Sequence, residues 1–537
     1  MTPTTVDAPN DAPAADAPGR RRPSPADRLM QDNRFWGWAG PLFVGAVAAV
    51  LRLVELGRPN RIMFDETYYA KDALSQLLFG YARKFVEDAD EMIMSGEVDA
   101  LDADSGLFED EPSFVVHPPV GKFLIGLGIR TFGMEPTGWR IATALAGVIT
   151  VVLVARAGRR LFRSTVLGCT AGLFVAVDGL SIAVSRTALL DGLLAMFVVA
   201  AFACLLVDRD QSRAALTGWA SERTAAGKWL GDGPLLAWRP WRLAAGIMLG
   251  LACGTKWSGI YVVAVFGLMT VLWEIGARRA AGLQSPTLNS ALRDGPVAFV
   301  TIVGSAVVVY IGSWWGWITS DNGWARNWAA GNAPSGLGEW MPEWLRGLWH
   351  YHARIWDFHT NLTSEHTYES GAWTWLFLRR PVLFEYQSLD QYEQGCLVDH
   401  CSQSVLALGN PALWWGSIAA LIACAVYWFL RRDWRPGAIL AGMVATWVPW
   451  LLYPDRTTFA FYAAAMMPFM ALAVAYTLGR IIGARSDPAT RRTIGLAVAG
   501  LYVLAVVLLA ARFYPIYVGE VIPYEQWRRL MWFDSWI

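Results

Sequence analysis

A succession of apolar stretches, several of them about 17–25 residues long, constrains this chain more than any other feature. Inside a bilayer every backbone polar group has to be satisfied within the crossing segment, so each stretch is expected to be a helix. Hydrophobic residues make up 55% of the 537 and charged residues only 17%, below the quarter or so usual for a soluble chain. The expected fold class is an all-α polytopic membrane protein. The formal net charge is zero and no basic tract interleaves with aromatics, so nucleic acid is not an expected partner.

The bias of Lys and Arg toward the cytoplasmic side orients the spans. Arg20, Arg21 and Arg22 precede the first one, Phe35 to Leu56, which places the N-terminus inside. Residues 1–34, rich in Pro, Ala, Asp and Arg, read as a disordered cytoplasmic tail. The stretch 118–134 opens on two prolines and carries Lys122 and Arg130, so an interfacial helix on the outer surface is expected there. The next crossing then starts at Trp139 and delivers Arg156, Arg159, Arg160 and Arg163 to the cytoplasm. Further spans are expected at 166–182, 187–207, 241–254, 258–276, 296–318, 411–430, 436–453, 457–482 and 493–511, eleven in all, with the C-terminus outside. Residues 35–537 thus form one transmembrane domain with external parts at 57–138, 319–410 and 512–537. Long aromatic outer loops against short basic inner ones make the outer face the working face. No internal repeat of the kind common in alternating-access carriers is visible.

Two adjacent acids, Asp65 and Glu66, stand just beyond the first span in Phe64-Asp65-Glu66-Thr67-Tyr68-Tyr69. The plain structural reading is a helix first turn, where carboxylates meet a favourable dipole. The polar and aromatic neighbours, Tyr69 among them, suit a hydroxylated ligand instead. A second cluster is His117-Pro118-Pro119-Val120-Gly121-Lys122. Lys122 is expected at headgroup depth, where it suits a lipid phosphate or simply snorkels; His117 alone reads as a structural hydrogen-bonding residue. Charges at or within spans near the outer face are Arg140, Arg186, Asp191, Lys256 and Arg456. Such groups usually face a cavity or one another, and an Arg186–Asp191 pair tying two helices is the structural alternative. Cations gathered with one carboxylate pair suit a phosphate leaving group and the removal of a proton from an incoming hydroxyl.

No glycine-rich phosphate loop is present, which argues against nucleotide hydrolysis. His350, His352, His359 and His366 make an external stretch histidine-rich, at spacings that build no recognised metal site. Cys396 and Cys401 share an external loop and are expected to form a disulfide if that side is oxidising, with zinc held alongside His400 as the rival reading. Cys169, Cys204, Cys253 and Cys424 fall inside spans as packing residues.

Four blocks carry a resemblance: Phe64-Asp65-Glu66-Thr67-Tyr68-Tyr69-Ala70-Lys71, His117 to Lys122, Ser185-Arg186-Thr187-Ala188-Leu189-Leu190-Asp191 and Gly254-Thr255-Lys256-Trp257-Ser258-Gly259. Together they resemble the signature blocks of the protein O-mannosyltransferases, in their actinobacterial branch, over most of the chain after about residue 35. The resemblance implies a GT-C glycosyltransferase fold with interfacial helices in the first external loop. It also implies transfer of mannose, with inversion, from polyprenyl phosphate mannose to Ser or Thr of exported proteins at the outer face of the plasma membrane. By resemblance Asp65 is the catalytic acidic residue, Glu66 its partner, Arg140 an essential arginine, and Lys122 and Lys256 phosphate ligands. Tyr69, His117, Arg186 and Arg456 complete the expected substrate-binding set. No metal and no cofactor is expected, since Lys and Arg can neutralise the leaving phosphate. Expected partners are the donor lipid, exported polypeptides and the Sec translocon. The chain departs from eukaryotic relatives in loop 319–410, too short and too rich in Trp for their β-trefoil domain, and in Phe459-Ala460-Phe461-Tyr462, which lacks their histidines. Two other functions stay open: a GT-C enzyme acting on a glycolipid or cell-wall glycan, and a lipid or sugar transporter.

Overall fold

The computed structural model describes residues 34–334 and 336–537, so the tail expected over 1–34 lies outside the described residues except for Arg34. Helix α1 (Trp36–Leu53) leads into the first long loop, which holds α2 (Glu66–Phe79), the hairpin β1 (Arg83–Phe85) and β2 (Phe108–Pro112), and α3 (Pro119–Phe132). Then come α4 (Pro136–Phe162), α5 (Thr165–Ala176), α6 (Gly179–Ser185), α7 (Leu190–Ala225), α8 (Pro240–Cys253) and α9 (Gly259–Ala280). Helix α10 (Pro286–Ser313) is interrupted by two π-helical turns, at Ser290–Asp294 and Val300–Gly304. The second long loop contributes α11 (Glu343–Thr360), β3 (Val382–Asp390) and β4 (His400–Ala407). The chain ends with α12 (Pro411–Arg431), α13 (Trp434–Thr446), α14 (Met467–Ile482), α15 (Ala489–Val518), β5 (Val521–Pro523) and α16 (Tyr524–Leu530).

Each of the eleven expected spans falls on helix for most of its length. Among the described residues seven helices are long and apolar enough to cross a bilayer, namely α1, α4, α7, α9, α10, α12 and α15. The pair α5–α6, bent by 62°, would be an eighth. Helices α8, α13 and α14 have 14, 13 and 16 residues, short of the ~20 that a full crossing takes. With 14 residues, α3 reaches only about 21 Å at 1.5 Å per residue, which suits the interfacial placement read from its sequence.

Helix α7 forms the centre, with 72% of its apolar window buried, against 22% for the peripheral α15. Close approach of α4 and α5 rests on Gly168, where an added Cβ would stand 2.4 Å from the Ala155 carbonyl oxygen. The bend between α5 and α6 is built around the buried Asp178 carboxylate. It caps α6 through the Ser181 amide (3.0 Å) and ties in the Asn410 amide (2.9 Å) and Trp414 Nε1 (2.8 Å). Two buried arginines satisfy helix C-termini that would otherwise carry orphan carbonyls. Arg52 donates to Ala176 O and Val175 O of α5, and Arg186 donates to Arg52 O, Val54 O and Glu55 O after α1.

The all-α membrane domain carries a small antiparallel sheet, β3–β4–β5, that the apolar periodicity did not announce. Its register pairs Tyr386 with Ser404 and Ser402 with Ile522. The expected Cys396–Cys401 disulfide is formed, closing the turn between β3 and β4. Contacts join the three segments 57–138, 319–410 and 512–537 at one end of the bundle. Arg61 pairs with Glu385 (2.8 Å), the Tyr351 hydroxyl accepts from the Val115 amide (3.0 Å), and Arg380 donates to Ile537 O (2.7 Å).

Candidate active site

The site is built on the entry to α2. Phe64 holds a left-handed backbone (φ 47°), an outlier for a bulky residue that survives only where its surroundings over-determine it. Its ring supplies that constraint, packed against Phe384 (5.1 Å), Phe461 (5.6 Å) and Phe459 (6.3 Å between centroids). The turn separates the roles of the two acids that follow.

Glu66 points inward and is fully buried, as is Arg140 of α4. They form a bidentate pair, Arg140 Nε to Glu66 Oε1 and Nη2 to Oε2, both 2.8 Å. The carboxylate also accepts from the Met63 amide (3.0 Å) and the Ala188 amide (2.9 Å). Arg140 spends its remaining donors on Pro59 O (2.9 Å) and Arg61 O (2.7 Å). The pair therefore locks the first long loop, α2, α4 and the turn before α7 together.

Asp65 occupies the N-cap position of α2, and its side chain makes no capping hydrogen bond. Burial pushes the Asp65 pKa up to about 6, helped by Asp191, while the Lys256 ammonium and the neighbouring Tyr69 hydroxyl hold it back. A carboxylate in that range is suited to general-base work near neutral pH.

Beside it lies a cavity of about 320 Å³ whose lining includes His117, Lys256, Trp257, Trp356, His359, Trp450, Arg456 and Tyr462. Lys256 sits 2.9 Å from Asp191 Oδ2 and 4.5 Å from the centre of the Tyr462 ring. Arg456 donates to His359 O (3.0 Å) and Thr457 O (3.1 Å), and its Nη2 lies 3.4 Å from His359 Nδ1. His359 Nε2 donates to Val116 O (3.0 Å), which leaves Nδ1 as the acceptor. Burial drives the His359 pKa down to about 4, so the ring is neutral at pH 7, as that arrangement requires. His117 stacks on it (5.2 Å, 29°), is also pushed well down by burial, and has an Nδ1 with no partner among the described residues. Two cations and two neutral imidazoles thus stand in an aromatic chamber, a setting for an anion attached to an apolar chain. No group of three His, Cys, Asp or Glu side chains that could hold a metal occurs among the described residues.

Comparison with known proteins identifies the family. Residues 137–280 match the family described as dolichyl-phosphate-mannose-protein mannosyltransferase, and residues 344–536 match the C-terminal four TMM region of protein-O-mannosyltransferase. A polyprenol-phosphate-mannose–protein mannosyltransferase of Mycolicibacterium smegmatis (strain MKD8) is 39% identical over 94% of each chain. The enzyme of the same name in Mycobacterium tuberculosis (strain H37Rv) is 38% identical, covering 94% of this chain and 92% of its own. The chain belongs to the protein O-mannosyltransferase family. Its fold matches a chain of the Saccharomyces cerevisiae protein O-mannosyltransferase Pmt1-Pmt2 complex bound to the sugar donor, with a TM-score of 0.70 at 14% identity over 96% and 95% of the two chains. The fold is GT-C, and the protein is a multi-pass membrane glycosyltransferase.

Within this O-mannosyltransferase scaffold Asp65, Tyr69, His117, Lys256 and Arg456 come together, the last three directly at the cavity. Other residues from the expected substrate-binding set are held elsewhere. Arg140 is engaged by Glu66, and Arg186 serves backbone carbonyls. Lys122, 1% exposed, is paired with Asp72 at 3.0 Å instead of reaching headgroups. The Arg186–Asp191 pair does not form; Lys256 takes Asp191, because it approaches from the turn before α9 directly opposite. His359, Trp356 and Trp257 were not among the expected site residues. The spacing held the signal: His352 and His359, seven apart, share one face of α11, and both pack on Trp257.

Proposed function

We propose that the protein transfers mannose from polyprenyl phosphate mannose to Ser or Thr hydroxyls of exported proteins, with inversion, at the outer face of the plasma membrane. The observation that carries the reading is the raised, partly buried Asp65 carboxylate beside an aromatic cavity holding Lys256 and Arg456. Asp65 takes the proton of the incoming hydroxyl, whose oxygen attacks the anomeric carbon as its bond to the phosphate oxygen breaks. The prenyl phosphate leaves with its growing charge facing Lys256 and Arg456, while His117 Nδ1 offers a further polar contact. Asp191 orients the Lys256 ammonium. The named activity of the mycobacterial relatives supports the donor and the acceptor class. In this reading the N-terminus is cytoplasmic, and growing exported chains reach the site beside the Sec translocon.

Purified protein given labelled polyprenyl phosphate mannose and a Ser/Thr-rich peptide tests the reading. Label on the peptide is expected. Label appearing only when lipid extract replaces the peptide would move the acceptor to a glycolipid, and vesicle uptake without covalent product would make the protein a transporter.

The acid limb of the reaction follows from Asp65. Its carboxylate form is the active one, so kcat is expected to be flat above pH ~7 and to fall about tenfold per unit below a pKa near 6. A limb near 4, the ordinary carboxylate range, would mean that another acid is titrating. Since the two cations neutralise the phosphate, full activity is expected to survive EDTA; loss on chelation with recovery on adding a divalent ion would contradict that role.

A further inference from the structure

The end of the bundle away from Asp65 holds a second concavity of about 510 Å³. Arg140 and Arg160 both lie on α4, and twenty residues of helix separate them by about 30 Å. Five arginines from three elements converge on the concavity: Arg160 and Arg163 at the end of α4, Arg209 and Arg213 on α7, and Arg435 at the start of α13. Asp210 is the one carboxylate in the lining, and it is shared between Arg160 (2.7 Å) and Arg209 (3.3 Å). Arg435 has Asp433 at 3.6 Å, but its Nε is buried with no acceptor among the described residues. No hydrogen bond or ion pair among the described residues engages the side chain of Arg163 or Arg213. Two carboxylates thus face five guanidinium groups, an imbalance that a polyanion would relieve.

Position decides what the anion is attached to. The Arg209 guanidinium lies 3.3 Å from the centre of the Trp434 ring and 5.6 Å from that of Trp273, and these two rings meet edge to face. Tryptophans gathered where α7, α9 and α13 meet mark headgroup depth in a membrane protein, and arginine pockets between helices at that depth suit lipid phosphates. We propose that this concavity binds the phosphate of an anionic phospholipid headgroup, in the leaflet opposite the catalytic cavity. Arg163 and Arg213 supply the unengaged donors, and Arg209, fixed on Trp434, forms the wall.

The test is native mass spectrometry of the full-length protein, delipidated in a neutral detergent, with phosphatidylglycerol, phosphatidylcholine or inorganic phosphate added. The wild-type protein is expected to retain phosphatidylglycerol and not phosphatidylcholine. The double variant Arg163→Gln/Arg213→Gln is expected to retain it roughly tenfold less or weaker still. Arg163→Lys/Arg213→Lys is expected to recover part of the binding, which a merely misfolded site would not do. Mannosyl transfer by both variants should match wild type and certify the fold. Equal retention of the two lipids, or of phosphatidylglycerol by wild type and the Gln variant, would overturn the proposal. Retention of inorganic phosphate with no lipid retained would overturn the headgroup source and leave a free-phosphate site.

Discussion

Asp65→Asn is expected to lower kcat by about 10²–10⁴-fold, the range for loss of a general base, with wild-type yield of folded protein. The reason for the large effect and the small structural cost is the same. Asp65 does not cap α2, and its raised pKa means that burial opposes its charge. The amide keeps the shape and removes a charge that the fold does not need. Donor binding should change little, because Lys256 and Arg456 remain. Retained turnover would remove Asp65 from the chemistry.

The second large effect lies with the neighbouring acid and is of the opposite kind. Glu66→Ala or Arg140→Ala leaves its partner charged and fully buried, which costs about 3–5 kcal/mol. A large loss of folded protein and of thermal stability is therefore expected from either. Glu66→Gln, which keeps one acceptor oxygen for either the Met63 or the Ala188 amide, should fold better than the alanine variants and keep residual transfer. Glu66 acts on the reaction through the turn that aims Asp65, so that residual activity should still show the acid limb near pH 6. Disappearance of the limb in Glu66→Gln, with the limb intact in a surviving Asp65→Asn, would exchange the two roles.

The helical architecture was legible because bilayer physics leaves a strong mark: a long apolar stretch has to be a helix. Span count was less legible. Helices α8, α13 and α14 are apolar yet short, and composition cannot distinguish a full crossing from a helix packed within the bundle. The sheet β3–β4–β5 escaped because β5 comes from the far end of the chain, and nothing local in 521–523 marks its pairing with 401–403. At the site, residue type located the charged groups but not their partners. Lys122, Arg140, Arg186 and Lys256 all read as cations near one leaflet, yet only Lys256 reaches the cavity. The others meet a carboxylate or exposed helix-end carbonyls first, and those encounters depend on three-dimensional approach. The His359 side of the cavity was visible only as the seven-residue spacing of His352 and His359 on one amphipathic helix.

The most direct test is a structure of the Asp65→Asn variant with polyprenyl phosphate mannose and a Ser/Thr peptide bound. The expected result is the acceptor hydroxyl within about 2.6–3.2 Å of the side chain at position 65, with the donor phosphate against Lys256 and Arg456. A hydroxyl held by a different acid, or a phosphate seated away from both cations, would contradict it.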